Sequence, residues 1–277
     1  MTKCWFDYKT VILSGASSGI GKDLAIRLIK EHGCKVIGIA RTESKLAALK
    51  DELGIHGDKF TYYTFDVSEK AKWFELAETL EKENIQPDIL INNAGILPKF
   101  DRFANYTLDE VDKAMEINFF SSVYSMKALM DMIMRSESAA IINVASSAAL
   151  CPLAGTSVYS ASKAALKSFS DAVREEHRGQ LYLGVVCPGF TKTDIFRNQS
   201  ESSSGSQKAM NMVSTDCDKM VDLIINGMWN KKEDMVFGMD AHMMEIGNKA
   251  LGVTCTKVAS KVMEISGLEI FSEVFKK

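Results

Sequence analysis

Short apolar, often β-branched runs alternate along this chain with longer stretches in which apolar residues recur every three or four positions. The runs fall at 10–14, 35–40, 60–65, 89–92, 140–145 and 181–187. Most are nearly continuous in Val, Ile, Leu and Ala, the pattern of strands covered on both faces. Between them, 20–31, 43–53, 69–83, 107–135 and 158–176 have helical periodicity, and the fourth is long and Met-rich. Strict alternation of strand and helix predicts an α/β protein. Its form is a doubly wound parallel sheet in three α/β/α layers. No linker and no solenoid-length repeat interrupts it, so residues 1–277 are expected to form one domain.

The pattern changes after Gly189. Residues 199–207 read Gln-Ser-Glu-Ser-Ser-Ser-Gly-Ser-Gln, which can bury little and is expected to be mobile. With its neighbours it makes 190–212 a candidate substrate lid. A helix at 215–229 and a short strand at 235–237 follow. The extension 241–277 is helical in period, with Met243, Met244, Ile246, Ala250, Leu251, Val258, Val262, Met263 and Ile265 on one face. Its polar face mixes Lys249, Lys257 and Lys261 with Glu245 and Glu264. That mixture predicts packing within the chain or against another subunit rather than on a membrane surface.

Composition is that of an ordinary globular protein, 46% hydrophobic and 25% charged. The net charge of −3 and the scatter of Lys and Arg argue against a nucleic-acid partner. Six cysteines without a CxxC spacing, beside four histidines, favour neither zinc nor a disulfide framework. Reduced thiols and a cytoplasmic location are expected. No signal-like stretch opens the chain, and no run approaches the roughly 18 apolar residues of a membrane span.

Candidate chemistry begins where the first strand meets the first helix, at Ser14-Gly15-Ala16-Ser17-Ser18-Gly19-Ile20-Gly21. Glycines there let the backbone approach a pyrophosphate, and the helix offers free N–H groups with the positive end of its dipole. An acid at the end of the second strand would bind the ribose 2′-hydroxyl of NAD. Here the strand ends Ile39-Ala40-Arg41-Thr42. Arg41 can pair with the 2′-phosphate of NADP, with Thr42 or Ser44 as a further donor. NADP(H) is therefore expected over NAD(H). Further on, Tyr159 precedes Lys163 by about one helical turn, which puts both on one face. A buried ammonium beside a phenol would lower the phenol's pKa and suit it to acid–base work.

Together these motifs resemble the short-chain dehydrogenase/reductase family, over residues 8 to about 195. The resemblance rests on Gly15/Gly19/Gly21, Asp66-Val67, Asn92-Asn93-Ala94-Gly95, Asn118, Ser146, Tyr159 with Lys163, and Pro188-Gly189 with Thr193 beyond. Ser146 stands 13 residues before Tyr159, the family's usual spacing.

The resemblance implies a Rossmann-like fold and a set of roles. Tyr159 would be the general acid or base, Ser146 would bond the substrate oxygen, and Lys163 would hold the nicotinamide ribose and tune Tyr159. Asn118 would hold a relay water through its helix backbone. Gly15, Ser17, Ser18, Gly19, Ile20 and Gly21 would cradle the phosphates. Asp66 and Val67 would meet the adenine, with Asn93, Ala94 and Gly95 beneath its ribose. Pro188, Gly189, Thr191 and Thr193 would border the nicotinamide. It also implies a homodimer or homotetramer paired through the helices at 107–135 and 158–176. Leu97, Leu150, Leu153 and Phe190 are candidate apolar walls, and Met210, Met212 and Met220 either pocket lining or core filler. These point to a hydrophobic carbonyl or alcohol substrate. The alternatives are a 3-ketoacyl thioester reductase and a non-catalytic dinucleotide-binding regulator, which the complete Ser/Tyr/Lys set disfavours.

Overall fold

Val11, Ile12 and Leu13 have no exposed surface, because helices cover β1 (Thr10–Ser14) on both sides. The computed structural model describes residues 4–193, 214–268 and 271–276. Six further strands run parallel to β1: β2 (Lys35–Ala40), β3 (Phe60–Thr64), β4 (Ile89–Asn92), β5 (Ala140–Val144), β6 (Tyr182–Pro188) and β7 (Asp234–Phe237). Their order is β3-β2-β1-β4-β5-β6-β7. The winding reverses between β1 and β4, so the carboxyl ends of these two strands open a crevice.

One face of the sheet carries α1 (Gly19–Lys30), α2 (Glu43–Glu52) and α7 (Cys217–Trp229). Leu24, Leu28, Leu46, Leu49, Ile224 and Met228 from these helices form a core with Val11 and Leu13. Each fully buried Leu of this kind contributes about 2 kcal/mol of transfer free energy. The other face carries α3 (Lys70–Lys82), α5 (Ser121–Ile133) and α6 (Ser157–Glu176). There Trp73, Leu76, Leu129, Ile133 and Val173 pack on Ile12, Leu90 and Ile141.

The helix expected at 107–135 is interrupted. It runs as α4 (Leu108–Met115), a π-helical segment Glu116–Phe120, then α5. A capping box between Thr107 and Glu110 starts α4. Asn118 lies inside the π segment, where the regular i→i+4 bonding shifts.

The tail is helical as expected, but not continuous. It forms α8 (Met239–Leu251), α9 (Thr254–Ser266) and the short α10 (Ser272–Phe275), broken where Gly252 and Gly267 take positive φ. The apolar face read from its periodicity is mostly exposed in the single chain. Met243, Ile246, Leu251, Val258, Val262 and Ile265 are all at least half exposed, and of that face only Met263 is buried. The reason is geometric: the tail touches the body along one side, where Met263 and Phe271 meet Leu97, Phe100 and Leu153 in a third small core.

All six cysteines are free thiols, five buried and Cys217 half-buried. Among the described residues no helix is long and apolar enough to cross a membrane.

Candidate active site

The loops after β1 and β4 lock together at the crevice. The Ser14 hydroxyl accepts from the backbone N–H of Asn93 (3.0 Å) and Ala94 (3.1 Å), and Asn93 Nδ2 donates to the Ser14 carbonyl (3.1 Å). A Cβ at Gly15 would stand 2.9 Å from the Ala94 Cα, and one at Gly21 would stand 2.2 Å from the Gly15 carbonyl oxygen. These two glycines therefore let α1 and the Asn93 loop close on the turn. Asn92 turns away from the crevice, its amide donating to Asn143 Oδ1 (2.9 Å) and accepting from Ser125 (2.7 Å) in a buried network.

A cleft of about 330 Å³ runs from Arg41, Thr42 and Lys45 past Ser17, Ser18, Gly19 and Ile20 to Tyr159 and Lys163. Gly15, Asp66, Val67, Asn93, Ala94, Gly95, Pro188 and Thr193 complete it, so most of the expected cofactor residues converge. Gly21 sits behind the loop, and Gly189 and Thr191 border a second cavity instead. The cleft fits an elongated anion. Ser18 makes no side-chain cap bond at the start of α1, and no acid occupies that helix's first turn. Its N–H groups are thus available to a pyrophosphate.

At the far end Arg41 is 57% exposed and 3.6 Å from Asp66, a loose ion pair. Lys45, in the first turn of α2, adds a second cation that sequence reasoning missed. Its position four residues after Arg41 was the available signal.

At the near end Lys163 is buried, and its Nζ donates to the Val144 carbonyl (2.8 Å). Burial pulls its pKa down to about 8. The Tyr159 phenol is shifted the other way: burial raises its pKa, and the hydrogen bond with the Ser146 hydroxyl lowers it by less. The expected lowering of Tyr159 by Lys163 is therefore not the balance in this structure. The ammonium turns to Val144, and desolvation dominates both groups. Ser146, rather than Ser147, meets Tyr159, and its hydroxyl also accepts from the Ala148 N–H (3.1 Å).

Asn118 is fully buried. Its Oδ1 accepts from Ile96 N (2.8 Å), and its Nδ2 donates to Ile96 O (2.9 Å) and Ser162 Oγ (3.0 Å). The side chain thus clamps the strand-end loop on α6, beside Lys163. A Cβ at Gly95 would lie 3.2 Å from Lys163 Nζ and 3.3 Å from Asn118 Oδ1.

The second cavity, of about 90 Å³, opens between Ser146, Tyr159, Pro188, Gly189, Phe190 and Thr191. Leu97 and Leu153 wall it as expected, together with Phe100, which sequence reasoning missed. Leu150 instead packs toward the α6-side core, and Met220 is core filler with no exposure. Met210 and Met212 lie outside the described residues, as does most of the expected lid at 190–212. Behind the cavity Phe100 meets Phe271 edge-on, with ring centres 5.3 Å apart, so the C-terminal tail backs its wall.

The chain matches the short chain dehydrogenase family model over residues 9–204, and it belongs to that family. It is 37% identical to the ketoacyl reductase HetN of Nostoc sp. over 183 residues, 66% of this chain and 63% of the relative's length. It is 33% identical to 3beta-hydroxysteroid dehydrogenase 2 of Eggerthella lenta, over 68% of this chain and 72% of that one. In structure it resembles a short-chain dehydrogenase/reductase from Burkholderia phymatum solved with NAD. The TM-score is 0.77 at 20% identity, covering 94% of this chain and 97% of the other, a likeness of fold. The family is one of oxidoreductases whose fold binds nicotinamide dinucleotides, and this chain spans just under two thirds of HetN's length.

Proposed function

We propose that the chain is an NADP(H)-dependent oxidoreductase that interconverts a hydrophobic ketone or aldehyde and its alcohol. The observation that carries this reading is that Ser146 and Tyr159 line one mainly apolar cavity, which shares Tyr159 with the long cleft. The bound nicotinamide supplies or accepts the hydride. Ser146 donates to the carbonyl oxygen as negative charge develops on it. Tyr159 gives that oxygen its proton. Its raised pKa keeps the phenol protonated near neutral pH, the form that donates. Lys163 holds the ribose hydroxyls, and Asn118 fixes the loop beside it. Arg41 and Lys45 receive the 2′-phosphate.

Titration of the purified protein with NADPH and NADH by fluorescence tests the cofactor. Tight NADPH and weak NADH binding is expected, and the reverse preference overturns the assignment of Arg41. A panel of apolar and small charged carbonyls then tests the substrate class; turnover of the charged ones alone refutes a hydrophobic substrate. The second reading, reduction of a 3-ketoacyl thioester, rests on the likeness to HetN and predicts turnover of acyl thioesters above free ketones.

Pairing into a homodimer or homotetramer is proposed through α5 and α6, where Phe120 is exposed and stacks on Tyr124. A monomer in light scattering at micromolar concentration refutes it.

A further inference from the structure

Asp240 stands in the first turn of α8, far in sequence from every motif of the site, yet its carboxylate reaches the loop that borders the cavity. Oδ2 accepts from the backbone N–H of Phe190 at 2.7 Å. Oδ1 is buried and has no hydrogen-bond partner. A Cβ placed on Gly189 would stand 2.1 Å from Oδ1 and 2.4 Å from Oδ2, and its three nearest atoms would all belong to Asp240. Gly189 also donates to the Phe237 carbonyl (2.8 Å), at the end of β7. Gly189 and Phe190 line the same cavity as Ser146 and Tyr159.

A buried carboxylate with one unpartnered oxygen is costly, and its presence calls for an explanation. Here the glycine is shaped around the acid, and the acid holds the chain that lines the cavity with Ser146 and Tyr159.

We propose that Asp240 is a positioning residue for the nicotinamide end of the site. Its carboxylate pins the Gly189–Phe190 backbone to the start of α8, so the C-terminal extension sets the distance between that loop and Tyr159. The inference rests on the dinucleotide reading above. It goes beyond that reading in giving the tail a part in hydride-transfer geometry.

The test separates the two ends of the cofactor. 2′,5′-ADP carries the adenosine end and the 2′-phosphate but no nicotinamide, so it engages Arg41 and the glycine loop alone. For Asp240→Ala we expect NADPH affinity and turnover to fall by about tenfold to hundredfold, the scale of a small misplacement of reacting groups. Binding of 2′,5′-ADP is expected to stay within about twofold. Asp240→Asn keeps one accepting oxygen for Phe190 N and is expected to recover most of the loss, which a role for the charge alone would not allow. Gly189→Ala, whose new methyl would meet Asp240 first, is expected to show the same split. Adding Asp240→Ala to it should relieve part of that defect. If Asp240→Ala does not fold, Gly189→Ala carries the test alone.

Unchanged NADPH binding and turnover in the variants overturns the proposal. So does an equal loss of NADPH and 2′,5′-ADP, which marks general damage. Failure of the wild-type protein to bind either ligand instead overturns the dinucleotide reading, and the proposal with it.

Discussion

The cleft between β1 and β4 and the C-terminal extension are built on opposite terms. Around the cleft, polar groups are bonded in pairs: Ser14 to the Asn93 loop, Asn118 to Ile96, Lys163 to Val144. Beneath it, apolar side chains are closed off on both faces of the sheet. The extension is held instead by a thin line of contacts, chiefly Met263 and Phe271 against Leu97, Phe100 and Leu153, with Asp240 at its start and Arg102 Nε donating to Val274 O (3.0 Å) near its end. Met239, Val253 and Ile265 on its outer side are more than two-thirds exposed. A region that must present fixed donors to a cofactor needs its backbone over-determined, because an error of about 1 Å costs rate steeply. A region that shapes one wall of a substrate cavity can be attached by a few residues. The same thin attachment lets it differ while the sheet stays the same.

The sharpest way to break this contrast is Tyr159→Phe. It removes the proposed proton donor and leaves the packing, so turnover should fall by roughly 10²–10⁴-fold with NADPH affinity intact. Near-native rates would show that another group moves the proton. Next in size is Arg41→Asp. Reversing an exposed charge beside Asp66 should cut the preference for NADPH over NADH by about tenfold to hundredfold, read from paired titrations. An unchanged ratio would place the 2′-phosphate on Lys45 alone.

Lys163 supplies a pH test. Its folded pKa, near 8, lies below the ordinary 10.5, so the ammonium is lost as pH rises through about 8. Cofactor holding and reduction should both decline above that point, by about tenfold at one to two pH units beyond it. Stability runs the other way. The unfolded chain binds this proton more tightly, so the group favours folding as pH climbs from about 8 toward 10.5, and that contribution is lost as pH falls through 8. A flat rate profile to pH 10 would contradict the lowered pKa of this ammonium.

Phe271→Ala tests the extension itself. The KM for an apolar carbonyl should rise severalfold, to about tenfold, with NADPH affinity unchanged. A matching loss of NADPH affinity would mean that the tail supports the cofactor cleft as a whole. The smallest effect belongs to Ile246→Gln on the exposed outer face, which should change stability by no more than about 0.5 kcal/mol in a denaturant melt. A larger loss would show that this face is covered in solution.

How much of this was legible beforehand varies by residue. β1, β2 and β4 begin and end where their apolar runs do, because a buried parallel strand tolerates little else. The glycine loop, Ser146, Tyr159 and Lys163 were legible as candidates because backbone approach and acid–base chemistry restrict residue type and spacing, and the structure gathers them at one cleft and its adjoining cavity. Lys45 and Phe100 were not, since a lysine in a first helical turn and a phenylalanine in a loop occur for many reasons. The π segment at Asn118 left no periodic trace, because one extra residue in a turn does not disturb an apolar stripe.

What the sequence determined by itself was the alternating order of strands and helices, the glycine-rich turn and the candidate acid–base pair. All are local in chain distance, or are fixed by which residue types can do the chemistry. Only the tertiary structure decided the rest. It turned the Lys163 ammonium to Val144 and raised the Tyr159 pKa by burial. It brought Asp240 under Gly189 across about fifty residues of chain, and it left the tail's apolar face open to solvent. Those outcomes depend on which surfaces meet and how much water they exclude, and periodicity along a chain carries no record of either.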